Sequence, residues 1–459
     1  MKQTYYFIGI NGIGMSGLAK MLASQGHTVR GSDISPSLSV DHFNQWGISV
    51  FHDHHKDQIQ HKDWIIVFSN VIQPDNAERQ RATQLGCRQI RRGDLLNDII
   101  RRFKYKIGVV GAHGKTTTTA ILVQMFNPFL SPSYFIGGHV PNMPHANLTQ
   151  GHWFISELDE SDGSFLSTVP THAVITNIEH EHVDYYHSHT EFESAFWSFA
   201  HNTVCGGGTC AINLDDPGSV HLLNQFSDTS SFITYSIESD GATIRATNIA
   251  YKPDGTSFTV IVNQTNHYNV TLPLFGRHNV YNALSAIAIL YQTPMPIEDG
   301  LKNLSSIQPV NRRLEMKYKS DTIMLYDDYA HHPTEVASTL SGMRQTFATN
   351  RIITIFQPHR YSRLTRMFDS FCESFSESNK TIILPVFSVG EPSDGEKSSL
   401  ELAEQLTENG HDALYLNNND DLIRMLSQEL RSHDIIVLMG AGDVTKLSGQ
   451  LIPIIQCVE

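Results

Sequence analysis

The stretch Ile107-Gly108-Val109-Val110 runs straight into Gly111-Ala112-His113-Gly114-Lys115-Thr116, and Thr117 to Thr119 open an apolar helical pattern behind it. An apolar strand that ends in a glycine-rich turn and restarts as a helix turns backbone amides toward one point at a helix N-terminus, where anions bind. Such a unit belongs to sheets whose strands are joined by crossover helices. Lys115 adds a point charge suited to phosphate, and the Thr116 hydroxyl is placed to meet Mg²⁺. The loop is a short GxxGKT form, because the longer phosphate-loop pattern wants a glycine where this chain has Val109.

The same alternation of short Ile/Val/Phe-rich runs with longer helical patterns extends along most of the chain, so the fold class is α/β. Strands are predicted at Tyr5 to Ile10, Thr28 to Ser32, Trp64 to Phe68, Trp153 to Glu157 and Ala173 to Asn177, with helices after Gly14 and over Asp75 to Leu85. A crowd of basic residues from Arg88 to Lys106 precedes the strand at Ile107, which puts a boundary near residue 105. Between Ala242 and Leu272 the pattern changes to alternating segments split by turns at Pro253-Asp254-Gly255 and Asn263 to Asn266, as expected of a small antiparallel insert. After a helix over Asn279 to Leu290, a new alternation starts at Thr322 to Tyr326 and continues through Ile352 to Phe356, Ile382 to Val386 and Ile435 to Met439. With 459 residues, too many for one hydrophobic core, three domains are expected at 1–105, 106–310 and 311–459.

A second turn of the same kind lies near the start. Gly12-Ile13-Gly14-Met15-Ser16-Gly17 follows a strand and opens a helix, and Asp33 ends the next strand about twenty residues on. The glycines let amides approach a diphosphate, and Asp33 can accept from a ribose hydroxyl. Any ligand with a diphosphate beside a ribose satisfies this pattern, so a nicotinamide oxidoreductase stays open as an alternative. A loop built around Gly114-Lys115-Thr116 also needs acids for a metal. Glu157-Leu158-Asp159-Glu160-Ser161-Asp162 supplies them at a strand end, and the following strand ends in Asn177-Ile178-Glu179-His180-Glu181-His182.

The formal charge of −14 argues against a general nucleic-acid binder, which needs a basic face. No apolar run approaches the length of a membrane span, and the first apolar stretch carries no cleavage site, so a cytoplasmic protein without membrane contact is expected. Five cysteines with no repeating spacing suggest reduced thiols, not a disulfide framework.

Taken together the motifs resemble the Mur ligase family of ATP-dependent amide-forming enzymes in peptidoglycan assembly. The resemblance rests on the opening FIGINGIGMSG with GSD, the GAHGKTTT loop, ELDESDGSF, TNIEHEHVD, Gly276 to Ala283, Arg312-Arg313, Asp327 to Glu335, Gln357 to Arg363 and Gly440 to Asp443, so it covers nearly the whole chain. Asn11, Ala112, Leu158 and Ala330 depart from the usual pattern, away from charged positions. The resemblance implies a Rossmann-like N-terminal domain, a central P-loop ATPase-like domain with a small antiparallel insert, and a C-terminal Rossmann-like α/β domain.

Within the family the pattern fits addition of L-alanine to UDP-N-acetylmuramate. A relative that attaches a ready-made tripeptide to the same donor is an alternative, and so is a ligand-binding regulator without catalysis. The resemblance assigns Lys115 and Thr116 to the phosphates of ATP, and Thr116, Glu157 and His182 to Mg²⁺, with Mn²⁺ able to substitute. It assigns Asn279 and Asn282, beside His278, to adenine, and Arg313, Asp328 and His331 to groups that reach the nucleotide. His359, Arg360 and Arg363 then bind alanine and the muramoyl substrate, and Gly12, Ile13, Gly14, Met15, Ser16 and Asp33 bind UDP. His182 or His359 is the expected base. Several relatives bridge a second Mg²⁺ with a carbamylated lysine, which this chain cannot do there, because it has no lysine between Lys115 and Lys252. The enzyme is expected as a monomer or homodimer.

Overall fold

The structure, a computed structural model, describes residues 2–34, 40–179, 185–393 and 397–458. Three sheets carry the chain, which divides into two compact units. The first comprises Met1–Thr247, Thr259–Val270 and Tyr281–Ile307, and the second Asn248–Phe258, Thr271–Val280 and Gln308–Glu459.

The first sheet is formed by β1 (Thr4–Ile8), β2 (Thr28–Ser32), β3 (Ser49–Phe51), β4 (Ile65–Phe68) and β5 (Arg88–Arg91), in the order β3-β2-β1-β4-β5 and parallel throughout. The chain leaves β1 toward β2 and β3 and later returns to its other side, so the turn after β1 lies where the strand order reverses, the place where such sheets bind ligands. Its central strands β1 and β4 are buried on both faces, which explains why they read as unbroken apolar runs. Gly31 is required by this packing, since a Cβ there would lie 2.6 Å from the Phe7 carbonyl oxygen. The first strand stops at Ile8, earlier than its apolar run suggests, because Gly9 takes φ +81 and turns the chain.

The second sheet holds β6 (Tyr105–Val110), β7 (Ser133–Phe135), β8 (Ala146–Asn147), β9 (Trp153–Glu157), β10 (His172–Ile175), β11 (Thr209–Asn213), β12 (Phe232–Ser236), β13 (Ile244–Lys252), β14 (Gly255–Val262) and β15 (Asn266–Leu272). Its order is β15-β14-β13-β12-β11-β10-β6-β9-β7-β8. The two-residue link between the neighbours β13 and β14 forces them antiparallel, so the alternating insert extends this sheet instead of forming another. Strand β6 lies between β9 and β10 and is parallel to both. The residues after those three strands therefore meet at one edge.

The third sheet, in the second unit, consists of β16 (Glu315–Lys319), β17 (Met324–Asp328), β18 (Arg351–Phe356), β19 (Lys380–Ile383), β20 (Ala413–Tyr415) and β21 (Asp434–Met439), ordered β16-β17-β21-β18-β19-β20. Only β16 runs antiparallel to its neighbour. Apolar clusters cover both faces, one around Phe356, Phe371 and Phe375 and the other around Leu422, Leu426 and Leu451. No helix among the described residues is long and apolar enough to cross a membrane.

Candidate functional site

Each of the two glycine-rich turns follows a central strand, as the sequence pattern requires. After β6, Gly111 takes φ +132 and Gly114 φ +82, and the helix Lys115–Leu130 begins at once. The loop is clamped from β10. The His113 amide donates to Asn177 Oδ1 at 3.0 Å, and Asn177 Nδ2 donates to the His113 carbonyl at 3.0 Å. Thr176 Oγ1 donates to the same carbonyl at 2.7 Å, and His113 Nε2 is 3.0 Å from Glu179 Oε2.

From the other flank, β9 ends at Glu157, whose Oε2 accepts from Thr116 Oγ1 at 2.7 Å. This bond ties the start of the helix Lys115–Leu130 to the end of β9. Gly137 makes room for the Glu157 carboxylate, since any Cβ on it would overlap Oε1. His182, the expected third ligand, lies outside the described residues.

The Lys115 ammonium is folded over its own loop. Its Nζ donates to the carbonyls of Gly111 at 2.5 Å and Ala112 at 3.0 Å, and to Glu160 Oε1 at 2.7 Å. Glu160 is 1% exposed. Its role was not apparent from the acidic run, where four carboxylates fall within six residues and spacing alone does not say which one faces the lysine. Asn282, expected at adenine, is placed against the phosphate loop: Thr118 Oγ1 donates to its Oδ1 at 3.3 Å, and a Cβ on Gly114 would come within 2.5 Å of that oxygen.

At the other turn, Gly12 caps the helix Ile13–Ser24, with Met15 and Ser16 inside its first turn. The Asn11 amide donates to Asp33 Oδ2 at 2.9 Å, joining the turn to the end of β2. Beneath this junction the wholly buried Glu78 accepts from Ser32 Oγ and from Tyr6 Oη, both at 2.6 Å. Burial pushes the Glu78 carboxyl up to about 7. Ser16 Oγ is 3.4 Å from Nε2 of His145, a residue from the chain after β7, so elements of the first two sheets meet at this turn.

In the second unit, Asp328 ends β17 with His331 just after it, and His359, Arg360 and Arg363 follow β18. Asp328, buried, accepts from the amides of Leu314 at 2.8 Å and Ala330 at 2.7 Å, and burial lifts its carboxyl to about 6. The guanidinium carbons of Arg312 and Arg313 stand 4.9 and 5.3 Å from the Tyr329 ring centre. Glu335 joins Arg313 at 3.6 Å to His331 at 3.2 Å. Asn279 Nδ2 donates to the Phe275 carbonyl at 2.9 Å and lies 3.1 Å from His278 Nε2.

His359 stacks on Phe387 and faces His331 at 5.8 Å between ring centres. Burial, reinforced by the charges of His331, Arg363, Arg360 and Arg312, drives its imidazole down to about 3, so it is neutral. Arg363 Nη1 lies 3.2 Å from His359 Nδ1. A guanidinium can only donate, so Nδ1 accepts and the ring proton sits on Nε2. That makes Nε2 a hydrogen-bond donor, at odds with the expectation that His359 takes up a proton. Arg360 holds an unusual φ of +71, its amide N–H donates to the Phe387 carbonyl at 2.9 Å, and its Nη1 lies 3.8 Å from Glu391.

Three family models match the chain: "Mur ligase family, catalytic domain" over residues 4–104, "Mur ligase middle domain" over 109–290, and "Mur ligase, glutamate ligase domain" over 312–442. A UDP-N-acetylmuramate–L-alanine ligase of Sulfurihydrogenibium sp. is 37% identical, covering 97% of this chain and 96% of the relative. The protein of that name from Aquifex aeolicus is 34% identical over 96% and 95% of the two chains. Among solved structures, the UDP-N-acetylmuramate-alanine ligase of Thermotoga maritima superposes with a TM-score of 0.82 at 25% identity, covering 99% of this chain and all of that one. A murein peptide ligase of Psychrobacter arcticus has the same fold, with a TM-score of 0.72 and 98% of each chain covered.

Proposed function

The chain belongs to the Mur ligase family, and we propose that it uses ATP to join L-alanine to the carboxylate of UDP-N-acetylmuramate, giving UDP-N-acetylmuramoyl-L-alanine, ADP and phosphate for peptidoglycan synthesis in the cytoplasm. One arrangement carries this reading: a single compact unit holds two strand-to-helix anion sites, one with Lys115 beside the Thr116–Glu157 pair and one with Asp33. The first suits ATP, and the second suits a uridine diphosphate donor without any nicotinamide.

ATP takes the amides of Gly111 to Thr117, and Lys115 exchanges the Gly111 and Ala112 carbonyls for phosphate oxygens. Asn282 and the neighbouring His278 and Asn279 serve the adenosine. The paired oxygens of Thr116 and Glu157 fit Mg²⁺ or Mn²⁺, with His182 as a third ligand, and such an ion when bound neutralises charge on the phosphates. The muramoyl carboxylate oxygen attacks the γ-phosphorus, the bond to ADP breaks, and Lys115 stabilises charge on the phosphoryl group in flight. An acyl phosphate results. The amine of alanine then attacks the acyl carbon and phosphate leaves from the tetrahedral intermediate.

Arg360 and Arg363 supply the cations for the alanine carboxylate, and neutral His359 donates from Nε2. Arg313, Asp328 and His331 serve the nucleotide, and the proton of the attacking amine leaves with the departing phosphate. Domain boundaries near 105 and 310, and a monomer or homodimer, complete the proposal.

The rival within the family is attachment of a ready-made tripeptide. Assayed by ADP release with UDP-N-acetylmuramate, L-alanine is expected to support turnover at least about a hundredfold better than the tripeptide L-Ala-γ-D-Glu-meso-diaminopimelate, the discrimination a shaped pocket readily achieves. Faster turnover with the tripeptide would overturn the acceptor assignment while leaving the ligase chemistry intact.

A further inference from the structure

The basic run Arg88 to Lys106 has no role in the reaction as described so far, yet one of its members stands between the two anion sites. The helix Arg92–Ile100 docks on the loop that follows β9. Asn97 Nδ2 donates to the Ser164 carbonyl at 2.9 Å, and Arg101 Nη2 to the Ser167 carbonyl at 3.0 Å. A Cβ on Gly93 would lie 2.5 Å from Ser164 Oγ, and Asn70 Nδ2 donates to Asp162 Oδ2 at 2.6 Å.

This docking fixes the first residue of the helix. Arg92 Nη2 is ion-paired with Asp159 Oδ2, and the pair is shielded, with the side chains 20% and 34% exposed. The rest of the Arg92 side chain lies along Gly14: a Cβ there would stand 2.9 Å from Arg92 Cδ and 3.2 Å from Nη1. Gly14 is the second residue of the helix Ile13–Ser24, in the turn whose first amides have no partner within the helix. A guanidinium has five N–H donors and one carboxylate engages at most two, so the fork can hold a second anion. Its neighbours differ, since Arg88 and Arg101 both pair with the half-exposed Asp98.

We propose that Arg92 binds the diphosphate of the uridine nucleotide donor, with Asp159 as the positioning residue that aims its guanidinium from the acidic loop of the ATP site. The assignment rests on the donor reading given above. It also gives Gly14 a reason to be glycine beyond the turn itself, because any side chain would push the guanidinium away.

Isothermal titration of the full-length protein tests it, using UDP, UDP-N-acetylglucosamine, UDP-N-acetylmuramate and ADP with the unaltered chain, Arg92→Gln, Arg92→Lys and Asp159→Asn. Arg92→Gln is expected to weaken all three uridine nucleotides by roughly 10- to 100-fold, the size of a lost charge-assisted bidentate contact, and to leave ADP unchanged. Arg92→Lys should recover part of the loss, and Asp159→Asn should lose less than Arg92→Gln. Unchanged UDP binding in Arg92→Gln overturns the proposal. So does a loss confined to UDP-N-acetylmuramate, which would assign Arg92 to the muramoyl carboxylate. Equal losses in Arg92→Gln and Asp159→Asn, with equally lowered Tm, would make the pair a structural contact only and overturn it too. An unaltered chain that binds ADP but no uridine nucleotide would sink the donor reading itself, a result distinct from any failure of Arg92.

Discussion

Lys115→Ala is expected to lower kcat for ADP release by about a thousandfold or more, the scale on which a cation aimed at a transferring phosphoryl group acts. The side chain is 19% exposed and bonded to two carbonyls of its own loop, so its ammonium already lies over the turn. The substitution also strands Glu160, which is almost wholly buried and accepts from Lys115 at 2.7 Å. Removing one partner of a shielded ion pair leaves an uncompensated charge and is destabilising. Loss of activity in Lys115→Ala could therefore be charged to the fold. The double variant Lys115→Met/Glu160→Gln removes both charges and keeps the volume. It should regain much of the Tm lost by Lys115→Ala while staying inactive. Ligation retained in either variant would contradict the role given to Lys115.

The second large effect is one of backbone. Gly111→Ala should inactivate the enzyme and lower Tm by at least about 5 °C. Gly111 holds φ +132, a region closed to residues with a Cβ, and the added carbon would collide with Thr176 Oγ1 and lie 2.8 Å from the Asn177 carbonyl oxygen. Backbone strain of ~1–3 kcal/mol and overpacking of similar size add up to that shift in a domain of this size. Thr176 and Asn177 are the residues that clamp His113, so relief of the clash displaces the loop amides. A Gly111→Ala protein with normal Tm and normal ADP release would show that the loop tolerates a conformation other than the one described.

These two positions also show what was legible in the sequence. Glycines that need positive φ, a lysine and threonine at fixed spacing, and apolar strands buried on both faces are local demands, so Gly111, Gly114, Lys115, Thr116 and the parallel sheets could be read from the chain. Glu157 was singled out from its acidic run only by the family resemblance; that β9 flanks β6 and brings its end to the loop is a product of the fold. What depends on tertiary docking could not be read this way. Arg92 and Asp159 are 67 positions apart, and nothing in the basic run distinguishes Arg92 from Arg91 or Arg101 until the helix Arg92–Ile100 settles on the acidic loop. Glu160 and Asp159 are neighbours with opposite assignments, one to the ATP-site lysine and one to Arg92, and a loop without helical or strand periodicity gives no rule for which side chain faces which way. Strands β7 and β8 escaped notice because three and two residues are too short to show alternation. The tautomer of His359 follows only from Arg363 being beside Nδ1.

The central claim is that the muramoyl carboxylate becomes an acyl phosphate before alanine attacks. It is tested most directly with UDP-N-acetylmuramate carrying ¹⁸O at both carboxylate oxygens, incubated with ATP, L-alanine and the enzyme, followed by mass analysis of the phosphate released. The account predicts one ¹⁸O in each phosphate formed with UDP-N-acetylmuramoyl-L-alanine. Product formed together with phosphate that carries no label would contradict it.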